Sequence, residues 1–292
     1  MSNFVIITDS SCDLPLDYYK EHDVKLLHLS CHIGDVIYDG INNIISEEEF
    51  YKQIRGGALP TTSQVNPEQA KAVMEEALKE NKNVLYVAFS SGLSGTYQSG
   101  VIAANEVNEE NPDANVVVVD TVCASVGEGV ILHYAIKMRD EGKSIEETAK
   151  WLEENKCHVA HVVTVDDLDH LHRGGRISKT SAVLGSMINI KPMIHVNDEG
   201  KLINVGKMRG RKKALNNLLE MMEERIGDYK TKDKNEIIMI SHSDCLEDAQ
   251  YVAECVKEKY GFDNILISYI GPVIGSHTGP GAIALCFMAD HR

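Results

Sequence analysis

Apolar residues in the first half of the chain come in short unbroken runs, over 4–8, 83–89 and 116–119. Unbroken runs predict strands buried on both faces rather than strands with one wet side. Between them lie stretches that read as helices, over 16–21, 46–55, 68–80, 97–109, 129–140 and 144–154. Several carry start signals. Ser46 precedes Glu49 and Ser144 precedes Glu147, the spacing of a capping box, and Asn66-Pro67 supplies an N-cap and a first-turn proline. A run of mixed polarity over 24–33 predicts one more strand. Strand and helix alternate, so this half is expected to be a three-layer α/β domain with a parallel sheet.

The second half is patterned differently. It opens with a strand over 158–165 and a polar stretch, "DDLDHLHRGGRIS". An apolar segment over 180–190 predicts a helix, and 193–208 predicts a hairpin turning at Asn197-Asp198-Glu199-Gly200. A helix with a basic start follows over 209–226. Strands over 236–241 and 265–269 then flank a helix over 246–260. The expectation is a second α/β domain with antiparallel pairing, and a boundary near Asn155-Lys156 divides the chain into 1–156 and 157–292. No low-complexity segment or short repeat interrupts it.

In parallel sheets, ligands sit beyond the carboxyl ends of the strands. There the sequence places "TDSSCD", "SSGLSGT" and "DTVCAS", all rich in short polar side chains. Charge narrows the choice of ligand. The formal net charge is −15, which disfavours nucleic acid and anionic lipid as partners. The seven cysteines include no C-x-x-C pair, so neither a disulfide framework nor a zinc knuckle is expected. The amino-terminal residues enter a strand at once, without the pattern of a signal peptide, and no apolar run is as long as a membrane span. A soluble, cytoplasmic protein is expected.

The hydroxyl-rich loop Ser90-Ser91-Gly92-Leu93-Ser94-Gly95-Thr96 admits several chemistries. As a nucleophile elbow it misplaces the second glycine of G-x-S-x-G. As a nucleotide loop it lacks the Walker lysine, and "GEG" at 127–129 stops short of G-x-G-x-x-G. It can still offer hydroxyls and helix-start N–H groups to a small anion. "PTTSQ" at 60–64 is a second hydroxyl cluster; each member alone reads as a turn residue. "HTGPG" sets His277 beside glycine, as a turn or as an imidazole aimed at an anion. "RGGRIS" brings Arg173 and Arg176, and "KMRGRKK" at 207–213 is a basic cluster in an acidic chain. His170 and His172 lie among aspartates but lack a third well-spaced ligand, so no metal is expected.

Taken together and in this order, "TDSSCDLP", "LPTTSQ", "SSGLSGTYQS", "VVDT", "HRGGRIS", "KPMIHVNDEGKL", "KMRGRKKAL" and "HTGPGA" resemble the DegV family, which includes the FakB-type lipid carriers of bacterial fatty acid kinase. The resemblance spans about 5–288. It implies two α/β domains with a long-chain, palmitate-like fatty acid buried between them. It places the carboxylate on Thr62 and Ser94, with His277 near the head group and Arg176 as a further contact. It implies a carrier with no catalytic residue and no cofactor. The carrier would present the acid to a separate kinase for acyl-phosphate formation in phospholipid synthesis, and Arg209 would lie where that partner or a phosphate meets the protein. Two other readings stay open: a serine hydrolase acting on acyl esters through Ser94 and His277, and a lipid-binding regulator without a kinase.

Overall fold

The structure, a computed structural model, describes residues 3–178 and 189–292. The first half runs β1 (Val5–Asp9), α1 (Leu16–Glu21), β2 (Val24–Leu27), β3 (Ser30–Ile33), β4 (Val36–Tyr38), α2 (Glu47–Arg55), β5 (Thr61–Ser63), α3 (Pro67–Leu78), β6 (Asn83–Ala88), α4 (Thr96–Glu110), β7 (Asn115–Asp120), α5 (Val126–Asp140) and α6 (Ile145–Asn155). The second half runs β8 (Val159–Thr164), α7 (Asp169–Arg173), β9 (Ile190–Val196), β10 (Leu202–Arg209), α8 (Arg211–Ile226), β11 (Ile238–His242), α9 (Leu246–Tyr260), β12 (Ile265–Tyr269), α10 (Pro272–Thr278) and β13 (Ile283–Met288). The helix expected over 180–190 falls on residues that, except for the last two, lie outside those described.

Four strands form the expected parallel sheet, in the order β2-β1-β6-β7. Their unbroken apolar runs are explained by burial on both faces. Phe4, Ile6, Leu85 and Val87 point to one side, where they pack with Val130 and Ile131 of α5. Val5, Ile7, Val84 and Tyr86 point to the other, against Ala70 and Met74 of α3 and Ala103 of α4. The second sheet is mixed, in the order β10-β9-β8-β13-β11-β12, and only β11 and β12 pair in parallel. Helix α5 also packs against this sheet, sharing its core with Val159, Met239 and Cys286. Ala160, Ile238, Ile240 and Leu285 on the outer face meet Leu215 and Leu218 of α8 and Val252 of α9. The result is a stack in which one helix layer serves two sheets. Gly127 makes this possible, because a Cβ there would collide with the imidazole of His161 on β8.

Two departures from the sequence reading matter for the site. The run over 24–33 is two strands. The Ser10 hydroxyl accepts the N–H of Leu29 at 3.0 Å, and beyond that point the chain leaves the parallel sheet. Strand β3 then pairs antiparallel with β4 and β5 in a separate three-stranded sheet. The "TTS" segment is therefore a strand, not a turn, with Thr62 opposite Cys31. The second departure is β13, which the unbroken apolar run over 282–289 marks but which was not among the strands expected for the second half; it occupies the middle of the mixed sheet. Of the expected capping boxes, that of Ser144 forms in full, as does one at Asn66 with Gln69. Ser46 accepts the Glu49 N–H, but the Glu49 carboxylate turns to Lys52 and Gln53.

A buried aspartate joins the two sheets. Asp13 adopts a left-handed backbone, φ 56°. Its carboxylate accepts the N–H of Gly271 at 2.9 Å and the hydroxyl of Ser125 at 2.5 Å. Its carbonyl accepts the hydroxyl of Ser268 at 2.6 Å. The start of α10 is thus anchored to the loop after β1.

Candidate functional site

A cavity of about 340 Å³ lies among the loop after β6, strand β5, helix α10 and the inner face of the mixed sheet. Thr62, Ser94, Arg176 and His277 all line it. The structure thus brings together four residues that the sequence spreads over more than two hundred positions. Arg209 is elsewhere, exposed at the end of β10.

The polar end of the cavity is set by hydrogen-bond bookkeeping. Thr62 Oγ1 lies 2.8 Å from His277 Nε2. His277 Nδ1 is buried with no partner among the described residues. A buried N–H left unmet is rarer and costlier than an unmet lone pair. The proton therefore sits on Nε2, which donates to Thr62 Oγ1 and leaves the threonine O–H to point elsewhere. Desolvation, then the charges of Arg176 and Arg173, push the His277 imidazole down to about 4, so it is neutral near pH 7.

Ser94 reaches the same state by another route. Its Oγ accepts the N–H of Thr96 at 3.2 Å and stands 2.9 Å from Thr96 Oγ1. Thr96 is fully buried, and its oxygen already accepts the N–H of Val65 at 3.4 Å. Among the described residues its own hydroxyl proton has one acceptor within reach, Ser94 Oγ. Ser94 is thus filled as an acceptor, and its O–H is free to donate. The close approach of the two motifs depends on Gly95, where a Cβ would collide with the side chain of Gln64.

Arg176 closes this end. Its Nε donates to the Leu93 carbonyl at 3.1 Å and its Nη1 to the Gly174 carbonyl at 2.5 Å, which fixes the guanidinium at the cavity wall. Desolvation lowers its pKa from the ordinary value of 12.5, which still leaves a cation. Two free hydroxyl donors, a neutral imidazole and one cation suit a small anion.

The rest of the wall is mostly apolar, with Leu29, Phe89, Val163, Leu171, Val273 and Ile274 among others, and its further polar members, Ser63, Gln64, Ser125 and Thr278, are hydrogen-bonded to other side chains. Where His161 meets the cavity it offers no open polar atom, since its Nε2 accepts the N–H of Ala124 and its Nδ1 faces the Val159 carbonyl. Sequence reasoning missed this lining. It comes from many elements, and each residue alone reads as ordinary core. Gln64 was visible in "TTSQ", but its part, a hydrogen bond to Ser99 at 3.1 Å, required coordinates. Of the histidines weighed for a metal, His170 instead meets Arg173 at 3.0 Å, and no group of three ligating side chains occurs among the described residues. Nor is any helix among them long and apolar enough to cross a membrane.

The model of the DegV family, described as "Uncharacterised protein, DegV family", matches residues 3–290. The chain belongs to the DegV family. A DegV domain-containing protein of Clostridium perfringens is 48% identical over 293 residues, covering 100% of this chain and 99% of the relative. Among solved structures, a DegV protein of Thermus thermophilus described as binding fatty acid is 32% identical with a TM-score of 0.84, covering 99% of this chain and 100% of that one. A stearic acid-binding protein of Eubacterium ventriosum is 27% identical with a TM-score of 0.86, covering 98% of each chain. The α/β architecture of this DegV protein, with its parallel and mixed sheets, matches that of these solved structures over nearly the whole chain.

Proposed function

We propose that this DegV protein binds one long-chain fatty acid in the cavity, its carboxylate held by the hydroxyls of Thr62 and Ser94 and faced by Arg176, with His277 orienting Thr62. The observation that carries this reading is the pair of hydroxyls at the polar end of a largely apolar cavity, each accepting from a neighbour and each with its own proton unassigned. The fatty acids named for solved relatives support the ligand class. We read the chain as two domains, 1–156 and 157–292. Thr62 and Ser94 come from the first and Arg176 and His277 from the second, so the ligand joins them.

The division of labour is physical. Each buried methylene of the tail is worth about 0.8 kcal/mol, so the tail supplies affinity. A carboxylate in a dry site is costly unless hydrogen-bonded, so the head supplies orientation. Two hydroxyls grip less firmly than a bidentate arginine, which suits a ligand that must leave. We propose that the bound acid is passed to a separate kinase, and that exposed Arg209 lies on the surface meeting it. The geometry gives a serine hydrolase no support. His277 Nε2 bonds Thr62 rather than Ser94, and among the described residues no carboxylate orients its Nδ1.

The test is to denature the purified protein, extract it with organic solvent and weigh the extract by mass spectrometry. One long-chain fatty acid per chain is expected. An empty extract, with no uptake of added palmitate, overturns the reading. Acyl-phosphate formation when protein, ATP and a candidate kinase are combined tests the hand-over. Its loss in Arg209→Ala, with fatty-acid binding intact, tests the contact surface.

A further inference from the structure

A second cavity of about 400 Å³ lies on the other side of Leu29 and Val273, residues that line both spaces. It sits between the loop after β1, the three-stranded sheet and the start of α10. Its walls include Leu14, Leu26 and Ile45, and at its mouth Leu16 and Ile44 are 62% and 68% exposed. Large aliphatic side chains so open to water beside a concave apolar surface mark a place where something binds.

The polar groups in this cavity indicate what. His28, Tyr38, Glu47 and Tyr269 all line it, and none of their side chains makes a hydrogen bond or ion pair among the described residues. Among the described residues no lysine or arginine lines it. Burial pushes the His28 imidazole down, so that ring brings no positive charge near neutral pH. Asp13, the other acid in the wall, has both carboxylate oxygens engaged, by Gly271 and Ser125. Glu47 is left as the open charge. Burial, then the charges of Asp244, Glu48 and Glu47, push the Tyr269 phenol up, and of these three carboxylates Glu47 is the one that lines the cavity. A half-buried carboxylate beside tyrosine rings fits an ammonium group, through charge and through the ring faces. The same carboxylate repels a second fatty acid.

We propose that this cavity is a second binding site, distinct from the fatty-acid cavity, for an organic ammonium with an apolar body. The charge faces Glu47 and the rings of Tyr38 and Tyr269, and the body lies among Leu14, Leu26 and Ile44.

The test uses three probes that share one apolar body: phenylbutylamine, phenylbutanol and phenylbutyrate. Each is titrated calorimetrically into the full chain near neutral pH, with and without prior saturation by palmitate. The amine is expected to bind both preparations, about tenfold more tightly than the alcohol, as a charge-assisted contact implies. The butyrate is expected to bind the palmitate-loaded protein more weakly than either. Glu47→Gln should bring amine and alcohol to nearly equal affinity with the melting temperature unchanged, and Ile44→Ser should weaken both. Equal binding of amine and alcohol by the natural chain overturns the proposal, as does displacement of the amine by palmitate, indifference to Glu47→Gln, or no binding of any probe. Failure of palmitate to bind bears on the fatty-acid reading alone, because the amine is also titrated without it.

Discussion

Thr62 Oγ1 and His277 Nε2 lie 2.8 Å apart although 215 positions separate them in the chain. The contact joins a strand of the small sheet to the last turn of α10. It turns a hydroxyl that could serve as donor or acceptor into a donor aimed at the cavity. Removing that donor while keeping the shape is the direct probe. Thr62→Val and Ser94→Ala should each weaken fatty-acid binding about tenfold, the value of one hydrogen bond to a charged group. Thr62→Ser should bind as the natural chain does. Competition with a fluorescent fatty acid reads all three.

His277 also sets a pH dependence. Its pKa falls from 6.5 to about 4 on folding, because burial and the neighbouring arginines disfavour its charged form. The unfolded chain therefore takes up this proton first. Stability from this group is complete above pH 6.5 and is lost as pH falls toward about 4, on the order of 3 kcal/mol in all. Chemical denaturation of ligand-free protein at a series of pH values should show this slope, reduced in His277→Gln. The nitrogen shifts of His277 should report a proton on Nε2 near pH 7.

Two buried acids carry an opposite dependence. Asp9 accepts the N–H groups of Ser11 and Phe89 and the Tyr86 hydroxyl, at 3.2, 3.0 and 2.9 Å. Among the described residues Glu128 faces only the hydroxyls of Thr8 and Ser11, at 3.0 and 3.2 Å. Those hydroxyls have other acceptors, the Val87 carbonyl and Asp9. Each has one proton to give, so Glu128 must supply its own. Desolvation, then the charge of Asp9, push its pKa well above 4.5. The stability it contributes is complete below that ordinary value and declines as pH rises through the folded one. Glu128→Gln, which keeps shape and donor, should match the natural chain in stability below about pH 4.5, exceed it near neutral pH because it has no proton to lose on unfolding, and lose the infrared band of a protonated carboxyl. Glu128→Ala should cost roughly 3 kcal/mol, from the cavity and the loss of the hydrogen bond that the Glu128 carboxyl donates.

Neighbouring glycines should behave differently. A Cβ at Gly174 would collide with the His277 ring, whereas one at Gly175 meets nothing within 4 Å but has a φ of 73° to satisfy. Gly174→Ala should therefore weaken fatty-acid binding, by shifting His277 off Thr62. Gly175→Ala should lower the melting temperature, by about 1 kcal/mol of backbone strain, and leave affinity unchanged. Reversal of that pattern would contradict the role given to His277.

Much of the fold was legible because its causes are local. The runs over 84–89 and 116–119 are apolar throughout because both faces of the parallel sheet are covered, and Ser144 with Glu147 starts a helix by bonding that spans three residues. The break at Leu29 was not legible, because the hydroxyl that ends the parallel pairing belongs to Ser10, and the pattern of residues 24–33 carries no mark of it. The strand character of Thr61–Ser63 was hidden for the same reason. It depends on pairing with residues 30–32.

The sequence by itself determined the chemistry available at the site: short hydroxyls, a histidine among glycines, an arginine in a glycine turn, in an order that identifies the family. Tertiary structure decided which of these groups donate. A hydroxyl has one proton and several possible acceptors, so its role depends on every neighbour at once. Those neighbours, His277 for Thr62 and a buried Thr96 for Ser94, are fixed only when the chain is packed. The apolar lining follows the same rule, since a leucine facing a cavity and one facing the core are the same letter until the walls around them are assembled.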